Sequence, residues 1–177
     1  MRWGSSPSLE RVPHTNAEGG DMEFQHETAL ANIKESVRFD GVHPHVSLDA
    51  FIQARDAAVA TGATSAEEIN HLPEVRAAVK RWLLTHFQSV SHTADVQGFL
   101  KERAVWVAAG VFTNEEVMAF PEVRVAAERD IRGSAHVHPA NLQEEIDKWL
   151  PLGVVTRDEM DAWIQDSQDR RRRQELS

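Results

Sequence analysis

The chain has 177 residues, 41% hydrophobic and 27% charged, with neither cysteine nor tyrosine. That length allows one domain with tails or a short repeat array, and the missing thiols exclude a disulfide scaffold, a thiolate zinc site and a cysteine nucleophile. The net charge is −9, and residues 22–168 hold 13 basic against 23 acidic side chains, a body that repels phosphate backbones and makes nucleic acid an unexpected ligand.

Residues 1–21 scatter glycine, proline and serine without periodicity and are expected to be disordered. They contain no apolar stretch of the kind a secretory signal needs, and Met22 is a candidate initiator. No later run approaches the ~20 apolar residues that cross a bilayer, so the expectation is a cytoplasmic protein with no membrane partner. The first periodic signal is His26–Phe39, where Ala29, Leu30, Ile33 and Val37 fall at helical spacing before Gly41.

An internal repeat follows. Gly62-Ala-Thr-Ser-Ala-Glu-Glu-Ile-Asn-His-Leu-Pro-Glu-Val-Arg76 recurs 48 residues later as Gly110-Val-Phe-Thr-Asn-Glu-Glu-Val-Met-Ala-Phe-Pro-Glu-Val-Arg124. Upstream, Phe51, Ile52, Arg55 and Val59 match Phe99, Leu100, Arg103 and Val107 at the same offset. A degenerate third copy, Leu150–Met160, sets Gly153 only 43 residues after Gly110 and lacks the proline step. Each copy predicts a long helix closed by a left-handed glycine, then a short helix opened by a capping box. The boxes are Ser65 with Glu68, Thr113 with Glu116, and Thr156 with Glu159. Pro73 and Pro121 then start longer helices, expected over 73–87 and 121–132, and the last helix is expected over 157–172.

The fold class is therefore all-α: an N-terminal helix, then about two and a half three-helix repeats of period 48 in an array or bundle. Residues 47–92 form the first repeat, 93–138 the second, 139–168 the degenerate third, and 169–177 a basic tail. Ser47 is the expected N-cap of the first repeat's leading helix.

Most chemistry-bearing residues have a structural explanation. His43 with His45, His136 with His138, and His92 sit in loops without the convergent geometry zinc requires, so no metal is expected. Trp82, Trp106, Trp149 and Trp163 lie in amphipathic stretches and read as core anchors. Arg170–Arg173 reads as a solvated helix end. Paired glutamates fall at helix starts, where the dipole favours them. No nucleophile, base and orienter arrangement or phosphate loop appears, so neither catalysis nor a cofactor is expected.

Asp40 is different. Four residues after Ser36, it falls on the same face of the expected helix and at its C-terminus, where the dipole disfavours an acid and an arginine partner would relieve it. The stretch Ser36-x-x-x-Asp40-Gly41, with Arg38 inside it, resembles the inhibitory motif of VbhA-like antitoxins of Fic toxins, written S/T-x-x-x-E-G/N. Its flanks are similar too: an alanine-rich helix, a proline-containing loop at Pro44, a helix to Gly62, and Thr64-Ser65 opening the next. The resemblance spans about residues 26–72, with 22–72 as the antitoxin-like segment. It implies a protein partner, a Fic-type AMP transferase, whose ATP-binding arginine would be taken by Asp40, supported by a hydrogen bond from Ser36 and a turn at Gly41. The other reading is an acidic helical repeat adaptor, or a nucleic-acid charge mimic, without any link to AMP transfer.

Overall fold

The computed structural model describes residues 17–38, 46–62, 64–88 and 94–176, with side chains from Phe24 onward. Among them the chain is all-helical, and no strand forms. The nine α-helices among the described residues are α1 (Ala17–Ser36), α2 (Leu48–Ala60), α3 (Ala66–Asn70), α4 (Pro73–Leu84), α5 (Val96–Ala108), α6 (Asn114–Met118), α7 (Pro121–Val137), α8 (Leu142–Trp149) and α9 (Arg157–Glu175). None is long and apolar enough to cross a membrane.

The boundaries follow from local chemistry. Ser47 accepts the Ala50 N–H and opens α2. All three capping boxes are closed: the Ser65, Thr113 and Thr156 hydroxyls each accept an N–H while Glu68, Glu116 and Glu159 reach back. Gly62, Gly110 and Gly153 are left-handed at φ 74°, 80° and 69°, a conformation that a side chain would strain. Pro73 and Pro121 occupy the first turns of α4 and α7, where a missing N–H costs nothing.

Several expected ends move. α1 starts at Ala17, inside the stretch read as disordered, and stops at Ser36 rather than Phe39. α4 gives way at Thr85 to a 3-10 turn ending at Phe87. α7 runs five residues past the expected 132, because Ser134 and Ala135 are still buried. α9 continues beyond 172 to Glu175, and its arginines pair along the helix: Arg170 with Asp166, Arg171 with Glu175, Arg172 with Asp169.

One apolar core threads the array from Ala29, Ile33 and Phe51 through Phe99 and Trp106 to Trp149 and Met160. Trp106 and Trp149 are fully buried, while Trp82 and Trp163 pack against the core with one edge free. Each large side chain so buried contributes about 1.5–3 kcal/mol.

Polar links join successive sequence copies. Arg76 on α4 reaches across to the second copy, donating to the Val111 carbonyl at 3.1 Å and to Glu116 at 2.6 Å over the Phe112 ring. Arg124 on α7 repeats the reach into the third, donating to Val154 at 3.4 Å and Glu159 at 2.5 Å beside Trp163. Each carboxylate thus caps its own helix and clamps the preceding copy. The arginine, with the Thr156 N–H and hydroxyl, holds the Glu159 carboxyl down at about 2. Arg55 makes a further link, donating with Asn70 to the Ala109 carbonyl at the end of α5. Asp130, 5% exposed, accepts the Ala94 N–H and the Trp149 indole N–H and pairs with Arg129, fastening α7 to α5's entry and to α8.

Two outcomes are expected. Asp130→Ala strands two buried donors and should cost about 2–4 kcal/mol in urea unfolding. Glu159 is depressed from 4.5, so its stabilisation is complete above that pH and is lost as pH falls toward about 2. Arg124→Gln raises the folded-state value, so the melting temperature lost between pH 6 and roughly pH 3 should be smaller than in the parent chain.

Candidate functional site

The segment that carries the motif opens the array. α1 and α2 pack antiparallel, with Phe24 near Thr61 at one end and Ser36 near Ser47 at the other. α1 is seated by Ala29, Ile33 and Val37, of which Ile33 is fully buried, and an exposed pair joins Lys34 to Glu74 at 3.8 Å.

Ser36 is turned inward. It is 8% exposed, its hydroxyl donates to the Ile33 carbonyl at 2.7 Å, and its own carbonyl accepts the Ser47 N–H at 3.0 Å. It therefore stitches the end of α1 to the start of α2. Arg38 is exposed and pairs with Glu35 at 3.3 Å. Asp40 and Gly41 lie outside the described residues, as do His43, Pro44, His45 and His92. α1 ends at Ser36, with Val37 already in a turn and Arg38 past the helix, so the expected shared face of Ser36 and Asp40 falls partly outside the described residues. A buried backbone junction with Ser47 replaces the last turn that periodicity extended.

Three described cations near this segment have partners within the chain. Lys34 goes to Glu74 and Arg38 to Glu35, while Arg55 turns to Asp56, Asn70 and the Ala109 carbonyl. His136 and His138 flank the end of α7, and no group of three or more histidines and carboxylates is placed to hold a metal ion among the described residues.

Beside Ser36 the two helices leave a groove that the sequence did not announce. An open depression of about 690 Å³ has Ala50, Ala54 and Ala57 as its floor, with Asn32, Glu35 and Gln53 on its walls. A second, of about 300 Å³, continues it toward Phe24 and Thr61 and shares Asn32 and Ala57 with the first. The available signal was the spacing of alanines at 50, 54 and 57, one stripe of a helix. It was hidden because the same turns also carry the core stripe of Phe51, Ala54 and Ala58. Arg76 and Arg124 were visible as repeated residues, but nothing local joins them to carboxylates 40 and 35 positions away.

No protein-family model, curated protein or solved structure matches this chain.

The junction sets an expected contrast. Ile33→Ala should cost about 2–5 kcal/mol in denaturant unfolding, since it empties the seat of α1. Ser36→Ala removes only a hydroxyl bonded back along its own helix and should cost less than about 1 kcal/mol. A larger loss at Ser36 than at Ile33 would contradict an apolar seating of α1.

Proposed function

We propose that the chain is a protein-binding inhibitor, an antitoxin that holds a Fic-type AMP transferase inactive in the cytoplasm, rather than a catalyst. The observation that supports this reading is the order of elements around the motif, with α1 closing at Ser36 just before it and α2 opening at the Ser47 cap just after it. Asp40 would occupy the arginine that otherwise holds the terminal phosphate of ATP. Ser36 contributes by fixing the α1–α2 junction from which the motif departs, and Gly41 lets the chain turn away. The order α1, α2, Gly62, then a Ser65-capped α3 is also the order that the antitoxin resemblance implies.

A second reading is favoured by the clamps. Arg76 and Arg124 couple the copies into a stiff array, the mechanical property an adaptor needs, and such an adaptor would bind a basic protein through its acidic surface without any effect on AMP transfer. A charge mimic of nucleic acid would lose affinity steeply with added salt, whereas a packed helical contact would not.

The test is AMP transfer by a Fic-type transferase encoded beside the chain's own reading frame. The full chain should suppress transfer, Asp40→Ala should restore it by roughly tenfold or more, and Asp40→Glu should keep it suppressed. Equal suppression by Asp40→Ala, or none by the parent chain, would overturn the antitoxin reading and leave the adaptor.

A further inference from the structure

We infer that the α1–α2 groove is the seat of a partner helix that presents an aromatic anchor between lysine or arginine flanks. This rests on the reading that the α1–α2 end is the binding end of the array, and it does not depend on the partner being a Fic enzyme.

The floor sets the shape of the occupant. Ala50, Ala54 and Ala57 project only methyl groups, so a helix backbone can approach closely, and Asn32 and Gln53 offer amides along its path. From Phe24 to Ser36 the groove follows α1 for roughly 18 Å, the length of about three helical turns. Phe24, 71% exposed, stands at one end and would cover an apolar side chain of the occupant.

The rims set its charge. Asp49, Gln53 and Asp56 form an exposed ridge at i, i+4, i+7 directly outside the alanine stripe, and Glu35 stands on the α1 side. Among the described residues Asp56 is paired with the Nε of Arg55 at 3.3 Å and Glu35 with Arg38 at 3.3 Å, and both carboxylates stay exposed. Lysine or arginine along both edges of an incoming helix would meet these carboxylates. A second copy of the chain would instead bring its own acidic rims against them.

The second copy in the sequence shows what fills such a seam. Forty-eight residues after Ala54 stands Glu102 on α5, and there the preceding helix α4 supplies Trp82, whose indole N–H donates to Glu102 at 3.1 Å. The position matching Glu102 on α2 is the Ala54 methyl, which leaves room over the groove floor for a ring supplied by the occupant.

The absence of cysteine permits a direct test. A Gln53→Cys chain is labelled on the groove wall with an environment-sensitive fluorophore and titrated with an 18-residue helical peptide that has a central tryptophan, an alanine seam and lysine flanks. A saturable emission shift is expected, weakened roughly tenfold or more by Ala57→Trp, which fills the floor, and roughly tenfold by Asp49→Lys with Asp56→Lys. Every substituted position is exposed, and circular dichroism confirms the fold of each variant. The inference is overturned if a glutamate-flanked peptide binds equally well, or if Ala57→Trp leaves binding unchanged. It is also overturned if the emission depends on protein concentration alone, which makes the occupant a second copy. A label that stays buried until residues 1–16 are removed would overturn it as well, because the occupant would then be the chain's own start. AMP transfer plays no part in this titration, so either reading can fail without the other.

Discussion

An arginine carried by one sequence copy and received by the capping-box glutamate of the next is the interaction on which the array depends. Apolar burial alone is non-directional and would let stacked helices slide. The guanidinium fixes them, because it donates both to a carboxylate and to the carbonyl just past a left-handed glycine, and it lies on a ring belonging to the receiving copy. Gly110 and Gly153 place those carbonyls, at Val111 and Val154, within reach. The glycine, the capping box and the arginine are therefore a single device spread over two copies, which accounts for their recurrence together in the sequence. Exposed pairs of this kind contribute little energy each, so their role is register more than stability.

α1 carries no arginine that could play this part towards the first copy, and its Thr28 hydroxyl donates back to the Phe24 carbonyl within the helix. Glu68, the receiver in the first copy, is satisfied locally by the Ser65 N–H and by the Thr64 and Ser65 hydroxyls, which together lower its carboxyl. α1 is consequently held by Ile33, Val37 and Ala29, by the Ser36–Ser47 junction and by one long exposed pair to Glu74. This joint has apolar seating without a directional clamp, so its outer seam stays open while the α4–α5 seam is filled by Trp82.

Much of this was legible in the sequence wherever the cause is local. Capping boxes, left-handed glycines and first-turn prolines act within four residues, and each was placed correctly. Helix ends governed by packing were not. α7 runs on because Ser134 and Ala135 face the core, and α1 stops at Ser36 because its carbonyl is taken by Ser47 instead of by a further helical turn. Periodicity extended α1 to Phe39 because Val37 is buried as the spacing requires, although it sits in a turn. The tryptophans were read as core anchors from their amphipathic context, and Trp106 and Trp149 are wholly enclosed. The groove and the clamps were illegible for one reason: both are relations between helices, and neither leaves a short-range pattern.

The far end of the array is built differently from α1 and α2. In the third copy Ile164 stands where Pro121 stood, so the short and long helices fuse into the unbroken α9. Ser167 occupies the register of Arg124 and is 4% exposed, turned into the core with nothing to extend toward a fourth copy. The arginines that follow are spent on Asp166, Asp169 and Glu175 along their own helix. The clamp series thus has no donor at its end, and at its start the receiver is satisfied by its own hydroxyls. At the other end the α1–α2 seam is floored by Ala50, Ala54 and Ala57 and runs up to the Ser36–Ser47 junction, where the apolar seating of α1 and a backbone hydrogen bond take the place of the clamp.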